Sequence, residues 1–224
     1  MISTLIDKQD NFEIVRDQIA AILALEVNNQ MVLATAVSKN PNDWKLRIFS
    51  ERSNAFEEFL NVDINTDVSP LVNVWFDNSS FDKKSSNIME RQKCTAIYNI
   101  DCFGYGTASD NAAGGHHVAD KAASLEVQKA IRLVRNILMS DIYVYLGLTR
   151  GTAWDRFIDS ITVFQPQINN QAAQNIVGAR IAFSVSFNEF SPQITPETLE
   201  LLSAAVSRAE DGSVVVNTDY SYPL

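Results

Sequence analysis

Residues 91–106, RQKCTAIYNIDCFGYG, decide the fold that this sequence predicts. Side chains alternate between the two faces of a β-strand, so each face of this stretch can be read directly. One face is almost entirely apolar and consists of Cys94, Ala96, Tyr98, Ile100 and Cys102. The other face is mixed and consists of Thr95, Ile97, Asn99, Asp101 and Phe103. We therefore expect a central strand with helical cover on one side and a wetter surface on the other.

The flanking segments complete an α+β pattern. Apolar residues recur at helical spacing from Asn11 to about Val37 and again from Ala119 to Ser140. Strand-like stretches occupy Leu71–Asp77, Ser160–Gln165 and Ile176–Phe190. The prediction is a mixed, mostly antiparallel sheet of about four to five strands, packed by one long helix and an N-terminal helix.

Shorter segments add to this framework. Lys45 to Ser50 alternates like a strand, and Asn54 with Glu57 has the spacing of a capping box for a short helix. The polar stretches 78–90 and 106–118 are expected to be exposed, mobile loops. Beyond a second short helix begun by Thr195 and Pro196, the pair Asp211-Gly212 predicts the turn of a β-hairpin. This divides the chain into an α+β domain, 1–195, and a helix and hairpin extension, 196–224, suited to subunit or partner contact.

Composition limits the classes of function. The chain has 224 residues and a net charge of −9, and this acidic balance argues against a protein that grips nucleic-acid phosphates. Cys94 and Cys102 lie on one strand about 26 Å apart, too far for a mutual disulfide, and indicate a reducing compartment. No apolar run is expected to approach the length that spans a bilayer.

Motifs for catalysis are not apparent. Gly104-Tyr105-Gly106 lacks the third glycine of a dinucleotide fingerprint and indicates a turn at a strand end. His116 and His117 are adjacent, a spacing typical of a solvated loop rather than of a metal site. Asp77 and Asp101 are carboxylates that neighbouring strands could bring together. We predict a protein that is not an enzyme and has no catalytic, cofactor-binding or metal-binding residues.

Several side chains are candidates for an interface. Aromatic residues that could anchor a contact or simply fill the core are Trp75, Phe81, Trp154 and Phe164. Charged residues at the start of the central strand, which serve solubility or a salt contact between subunits, are Asp82, Glu90, Arg91 and Lys93. The charged side of the second helix, with Glu126, Lys129, Arg132 and Arg135, is either a solvated face or a subunit contact.

The order of elements resembles that of the tail terminator proteins of tailed bacteriophages. The phrases YNIDCFGYG, RLVRNIL and FSVSFNEFSP, within residues 10 to 195, are similar to Mu-like neck and tail-completion proteins. The resemblance implies a structural virion protein that forms a homohexameric ring, assembled in the host cytoplasm. The ring would cap the tail tube, contact the sheath of a contractile tail, and join the tail to the head connector.

Three other functions stay open from the sequence. One is a stopper or adaptor on the head side of the neck, another is a simple binding module that would be monomeric, and the remote one is a cytosolic enzyme acting on a small molecule. In the terminator interpretation DNA only passes through the lumen, which the acidic composition would keep from retaining phosphate. The corresponding expectation is a bore lined by Asp, Glu and amide side chains, with no membrane contact.

Overall fold

The computed structural model describes residues 9–60, 67–82, 91–111, 115–149, 152–168, 171–172, 175–190, 201–207 and 214–221. The helices are α1 (Asn11–Ala36) and α2 (Ala119–Leu138), and three 3₁₀ turns occupy Pro41–Trp44, Ala55–Phe59 and Asp141–Tyr143. The strands in chain order are β1 (Arg47–Ser50), β2 (Leu71–Phe81), β3 (Arg91–Tyr105), β4 (Ser109–Asn111), β5 (Gly115–His117), β6 (Ala153–Phe164), β7 (Gln167–Ile168), β8 (Gln171–Ala172), β9 (Ile176–Phe190), β10 (Leu201–Ser207) and β11 (Val214–Ser221).

Five strands form one mixed sheet in the order β1-β2-β3-β9-β6. β1 runs parallel to β2, and the other neighbours are antiparallel. The predicted α+β class, with a mostly antiparallel sheet, is therefore confirmed. The pairs β4–β5, β7–β8 and β10–β11 are separate two-stranded sheets, and β10–β11 corresponds to the predicted terminal hairpin.

The apolar face of β3 is the centre of the core, as the alternation predicts. Its five apolar residues have at most 1% of their surface exposed. The β9 residues on the same face are also fully buried, namely Ala179, Ile181, Phe183, Val185 and Phe187. Burying a side chain of the size of Ile or Phe contributes roughly 1.5–3 kcal/mol, so this double row of residues dominates the stability of the domain.

Both helices pack on that face. α1 buries Val15, Ile19 and Leu23 among others, and α2 buries Ala123, Val127, Ala130 and Val134 in spacings of three and four residues. Two glycines let α2 approach the end of β3. A Cβ at Gly104 would lie 2.7 Å from the carbonyl oxygen of Ala123, and Gly106 is still more crowded by the first turn of α2. Gly104-Tyr105-Gly106 therefore serves helix packing at the strand end.

Strands provide caps for both helices. The carboxylate of Glu189, on β9, accepts hydrogen bonds from the backbone N–H groups of Asn11 and Phe12 at the start of α1, at 3.2 and 2.9 Å. Toward the same end of the sheet, Arg156 on β6 donates to the carbonyl oxygens of Leu138 and Ser140, where α2 ends. A carboxylate at a helix N-terminus and a cation at a C-terminus both complement the helix dipole.

Several predicted boundaries were wrong, and two of them were wrong because bulges interrupt the alternation of apolar and polar residues along a strand. β2 continues past Asp77 to Phe81 through a register shift at Asp77. β6 begins at Ala153 rather than Ser160, with shifts at Trp154 and Asp159 that break the two-residue period. Much of the predicted loop 106–118 is the β4–β5 hairpin.

The short helix expected after Asn54 is a 3₁₀ turn, Ala55–Phe59. Asn54 takes a left-handed conformation with φ of 49° and caps nothing with its side chain. The rest of the predicted loop 78–90, from residue 83, and the helix predicted after Thr195 lie outside the described residues.

α1 corrects the expectation about membrane-length segments. Its 26 residues are long and apolar enough to cross a membrane by length and composition, although no such run was expected. The length of the helix was predicted, but its mean hydropathy was underestimated because scattered charges and amides, among them Arg16 and Asp17, interrupt the apolar residues. In the fold, the buried side of α1 belongs to the core.

Candidate functional site

The face of the sheet opposite the two helices, here called the open face, carries a mixed set of side chains. One end is covered by the 3₁₀ turn Ala55–Phe59, whose Phe59 packs with Leu71, Phe103 and Ile176. The middle is polar, and the alternation of β3 and β9 places Asn99, Asp101, Ser184 and Ser186 there. The mixed face predicted for the central strand is thus present, but it is not wet at its centre, because Asn99, Asp101 and Ser184 are buried.

Asp101 organises the middle of the open face. It is only 6% exposed, and its two carboxylate oxygens accept three hydrogen bonds. The indole N–H of Trp75 donates at 2.9 Å, and Arg180 donates through Nε at 2.7 Å and Nη2 at 2.9 Å. Hydrogen bonding to Asp101, opposed by burial, raises the pKa of Arg180. This paired arrangement holds the Arg180 guanidinium 4.9 Å from the Trp75 ring and 5.8 Å from Phe164.

A cleft of about 520 Å³ opens beside this cluster. Its charged lining residues are all engaged within the chain: Asp101 with Arg180, Arg52 with Glu58 at 2.5 Å, and Glu51 with Arg16 at 3.2 Å. General acid–base catalysis needs a group free to exchange a proton with a substrate. A cleft with such internally paired charges is better suited to contact with a polar surface.

Asp77 and Asp101 do not form the carboxylate pair that the sequence allowed. The residue directly opposite Asp101 on β2 is Asn73, and Asp77 lies in the bulge farther along the strand. Asp77 is exposed and accepts a hydrogen bond from Asn78. Both carboxylates nevertheless act on Arg180, because their negative charges contribute to its raised pKa.

The four candidate aromatic residues divide into two pairs. Trp75 and Phe164 are half-buried members of the Asp101 cluster, and the Phe164 ring meets Phe103 edge-on at 5.9 Å. Trp154 and Phe81 are exposed, at 39% and 45% of their surface. Only the second pair is accessible as interface anchors. Both of its members lie at the same end of the sheet: Phe81 is opposite Cys94, Cys94 is opposite Phe187, and Phe187 is opposite Ala153, which precedes Trp154.

Two of the four charged residues at the start of β3, Lys93 and Asp82, have contacts that the structure describes. The Lys93 ammonium lies 5.9 Å from the centre of the Trp154 ring, and the backbone carbonyl of Lys93 accepts from the N–H of Asp82. Arg91 is exposed, and Glu90 lies outside the described residues. Lys93 thus extends the aromatic surface around Trp154 across the sheet.

The histidines and metal ligands give no site that can be described. His116 and His117 lie in β5, where His116 pairs in register with Asp110, so the predicted loop is a small hairpin. Their side chains are outside the described part of the structure. Within that described part, no group of three or more His, Cys, Asp or Glu residues is arranged to hold a metal ion.

The outer surface of the helix layer differs chemically from the open face. α2 carries four basic and two acidic residues in a chain of net charge −9, and Arg132 and Arg135 are exposed on it. Beside it, the second half of α1 exposes Val32 and Leu33 at 69% and 57%. A groove of about 750 Å³ runs between the helices. The exposed surface along α2 is therefore basic, and the adjoining end of α1 is apolar.

β6 supplies a further feature that sequence reasoning missed. It is an edge strand, paired only with β9 among the described residues, and it exposes Phe157, Ile161 and Val163 at 57%, 42% and 61%. The signal available in the sequence was the run SITVF, rich in β-branched residues and without charge. Its position at the edge could not be deduced, because the order of strands in the sheet is set by tertiary packing.

No protein-family model matches this chain, and no curated protein sequence matches it either.

Proposed function

We propose that this chain is a structural virion protein of a tailed bacteriophage, a homohexameric ring that terminates the tail tube and joins the tail to the head connector. In a contractile tail the same ring also contacts the sheath. The proposal starts from the resemblance of the central strand, second helix and last sheet strand to tail terminator proteins. Its partners are further copies of the chain, the tube protein and the connector, while DNA only crosses the lumen.

The observation that carries the proposal is the pair of unlike surfaces on opposite sides of one sheet. A closed ring of identical subunits needs a heterologous interface, in which one surface of each subunit fits a different surface of the next. The helix layer offers exposed cations and apolar residues at Arg132, Arg135 and Val32, whereas the open face exposes Asp155, Thr162 and part of the Arg180 side chain above buried amides and Asp101. Such a subunit is suited to head-to-tail association.

The cleft favours assembly over catalysis for the same chain. Its charged residues neutralise one another, and the partly exposed Arg180 side chain lies against the half-buried rings of Trp75 and Phe164. Arginine is among the residues enriched at the centres of protein interfaces. The DNA-facing part of the ring should be lined by Asp, Glu and amide side chains, since like charge prevents phosphate from being retained.

A tube-growth assay tests the proposal. Polymerising tube protein of the same phage would be mixed with increasing amounts of this chain, and tube length measured by electron microscopy. We expect growth to stop when about six copies are present per growing end. Unfolded chain at the same concentration is the control. Tubes that grow to full length at every ratio would contradict termination, and binding to the head connector alone would favour the stopper function.

A further inference from the structure

The outer edge of β6, which pairs with no strand in the described part of the chain, has two halves with different chemistry. From Ala153 to Asp159 it contains both register shifts and the charged residues Asp155, Arg156 and Asp159. Bulges and charges are the usual devices that keep an exposed strand edge from pairing with another chain. Residues Ser160–Phe164, here called the edge segment, have neither device and pair with β9 in unbroken register.

The edge segment is apolar on the side of the helices, yet the helices leave it exposed. Ile161 and Val163 are paired with Ile181 and Ala179, which are core residues with no exposed surface. The two β6 residues nevertheless keep 42% and 61% of their surface exposed. A further strand laid against this edge would therefore extend the sheet and continue its apolar side.

The terminal hairpin has the complementary pattern. Its register places positions 202, 204 and 206 on one face, opposite 220, 218 and 216, and these positions hold Leu, Ala, Val, Tyr, Thr and Val. The alternate positions are mostly polar. A two-stranded hairpin is at best marginally stable in water and needs a third strand or an apolar surface. β10 contains no charged residue that would oppose pairing with the edge segment.

The length of the connection between β9 and β10 favours a hairpin from a second copy at the edge segment. β9 ends at Phe190, beside the beginning of β6. Ile181, which is opposite the edge segment, lies nine residues earlier on β9, so it is about 30 Å from Phe190. Ten residues, 191–200, separate β9 from β10, and this connection spans at most about 40 Å when fully extended. A hairpin of the same copy could reach the edge segment only with the connection stretched to about three quarters of its full length, beyond the roughly 18 Å that a relaxed ten-residue chain spans, whereas a neighbour's hairpin has no such restriction.

We propose that the β10–β11 hairpin of one copy adds to the Ser160–Phe164 edge of a second copy, extending its five-stranded sheet and covering Ile161 and Val163. This inference rests on the self-association that the proposed function requires and specifies where it occurs. Main-chain hydrogen bonds would provide the affinity, and the apolar sides of the two sheets would fix which face the hairpin presents. Because each copy donates one hairpin and accepts another, the contact is head-to-tail and can close a ring.

Cysteine cross-linking between two separately labelled variants tests the inference. One variant carries Val163→Cys, and the other carries Leu202→Cys, Val206→Cys or Val216→Cys in the hairpin. The native thiols of Cys94 and Cys102 are buried and do not interfere. We expect at least one mixture to form a disulfide-linked pair at several times the yield obtained with Val144→Cys, an exposed control position at 44%.

A second variant measures the contribution to assembly. Val163→Lys places a charge on the edge segment at an already exposed position, so the fold should be retained. We expect at least a tenfold weaker self-association by analytical ultracentrifugation, with an unchanged melting temperature, and no effect from Val144→Lys. Unchanged self-association, or a chain that stays monomeric at high concentration, would overturn the inference.

The remaining outcomes separate this inference from the proposed function. A disulfide within one chain of the double variant, without any link between mixed variants, would assign the hairpin to its own sheet. A link between two Val163→Cys chains would indicate pairing of two β6 edges. Either result overturns the inference. If the cross-link fails while the chain still stops tube growth, only the inference is wrong; if it forms and tubes grow unchanged, only the terminator function is wrong.

Discussion

At the scale of single residues, Asp101 holds the open face together. Its identity as one of the polar residues on the mixed face of β3 was predictable from alternation alone. Its partners were not, because Trp75 and Arg180 come from strands on either side whose register is set by the whole sheet. The sequence suggested Asp77 as a partner, but the register places Asn73 opposite Asp101, so Asp77 lies four residues farther along β2.

Replacement of Asp101 should measure the strength of this cluster. Asp101→Ala leaves the Trp75 N–H and the Arg180 guanidinium without their shared acceptor, and we expect a loss of about 2–3 kcal/mol in the free energy of unfolding. The loss is moderated because the Arg180 side chain is 41% exposed and water can replace part of the pairing. Chemical denaturation provides the measurement. Asp77→Ala, at the exposed bulge, is the control and should change stability by less than about 0.5 kcal/mol.

The contact between Tyr143 and Glu26 predicts a pH dependence. The hydroxyl of Tyr143 donates to Glu26 at 2.5 Å, which raises the pKa of Tyr143 to about 12 and lowers the pKa of Glu26. A raised tyrosine pKa stabilises the fold fully below the ordinary value of 10.0, and this contribution is lost as the pH rises toward 12. The lowered Glu26 pKa contributes stability above its ordinary 4.5, lost as the pH falls further.

Tyr143→Phe should therefore cost about 1 kcal/mol at pH 7, and the cost should shrink above pH 10 and below pH 4.5. Denaturant unfolding of both proteins between pH 3 and pH 11 provides the comparison. Glu26→Gln, which keeps an acceptor but no charge, should reduce the pH dependence at both ends. A difference between wild type and Tyr143→Phe that is constant over the whole range would contradict the assigned contact.

At the scale of elements, helices and core strands were predictable because their apolar periods are regular, while edges and connections were not. The face of β3 that packs against the helices was read correctly from Cys94 to Cys102. β6 was recognised only in its second half, since bulges interrupt its first half. The caps at Glu189 and Arg156 join residues more than ten positions apart in sequence, and no local pattern announces them.

The cap on α2 can be tested by substitution. Arg156→Ala removes the donor to the last carbonyl groups of the helix, and we expect a loss of about 2 kcal/mol in stability. Arg156→Lys should recover part of this, because one ammonium can still reach a carbonyl. Thermal unfolding followed by circular dichroism gives the measurement. Arg132→Ala is the control, because Arg132 is exposed on α2 itself and its loss should be nearly neutral. Equal losses of stability at Arg156 and Arg132 would contradict the capping role.

The approach of α2 to β3 predicts a strong effect at Gly104. Gly104→Ala would place a Cβ 2.7 Å from a backbone oxygen of α2, which cannot move without displacing the helix. We expect a loss of about 2–3 kcal/mol by denaturant unfolding. Gly178→Ala is the matched control, because its nearest neighbour is the half-buried Phe164 ring at 2.8 Å, which can rotate away at smaller cost. A smaller loss at Gly104 than at Gly178 would contradict this packing.

The thiols of β3 report on the integrity of the core. Burial raises the pKa of Cys94 to about 11 and that of Cys102 further, so neither forms the reactive thiolate near neutral pH. We expect a thiol reagent at pH 8 to modify no cysteine in the folded chain and two in denaturant. Rapid modification of either thiol under native conditions would show that the sheet opens more readily than the packing indicates.

At the scale of the whole molecule, the sheet separates a helix layer that is basic along α2 and apolar near the end of α1 from a mixed open face, and the edge strand β6 has no second partner strand among the described residues. The α+β class and the terminal hairpin followed from the sequence. The surfaces did not, because which helical and strand residues stay exposed depends on how the layers meet. The proposed ring uses these features together: unlike faces for head-to-tail association, and the hairpin to connect neighbouring copies.

Cryo-electron microscopy of tube ends tests the central claim most directly. Polymerised tail-tube protein of the phage would be incubated with this chain and the ends of the tubes reconstructed. We predict a ring of six copies on one end of each tube, with further growth blocked. Tubes with bare ends that continue to elongate in the presence of the chain would contradict the terminator function.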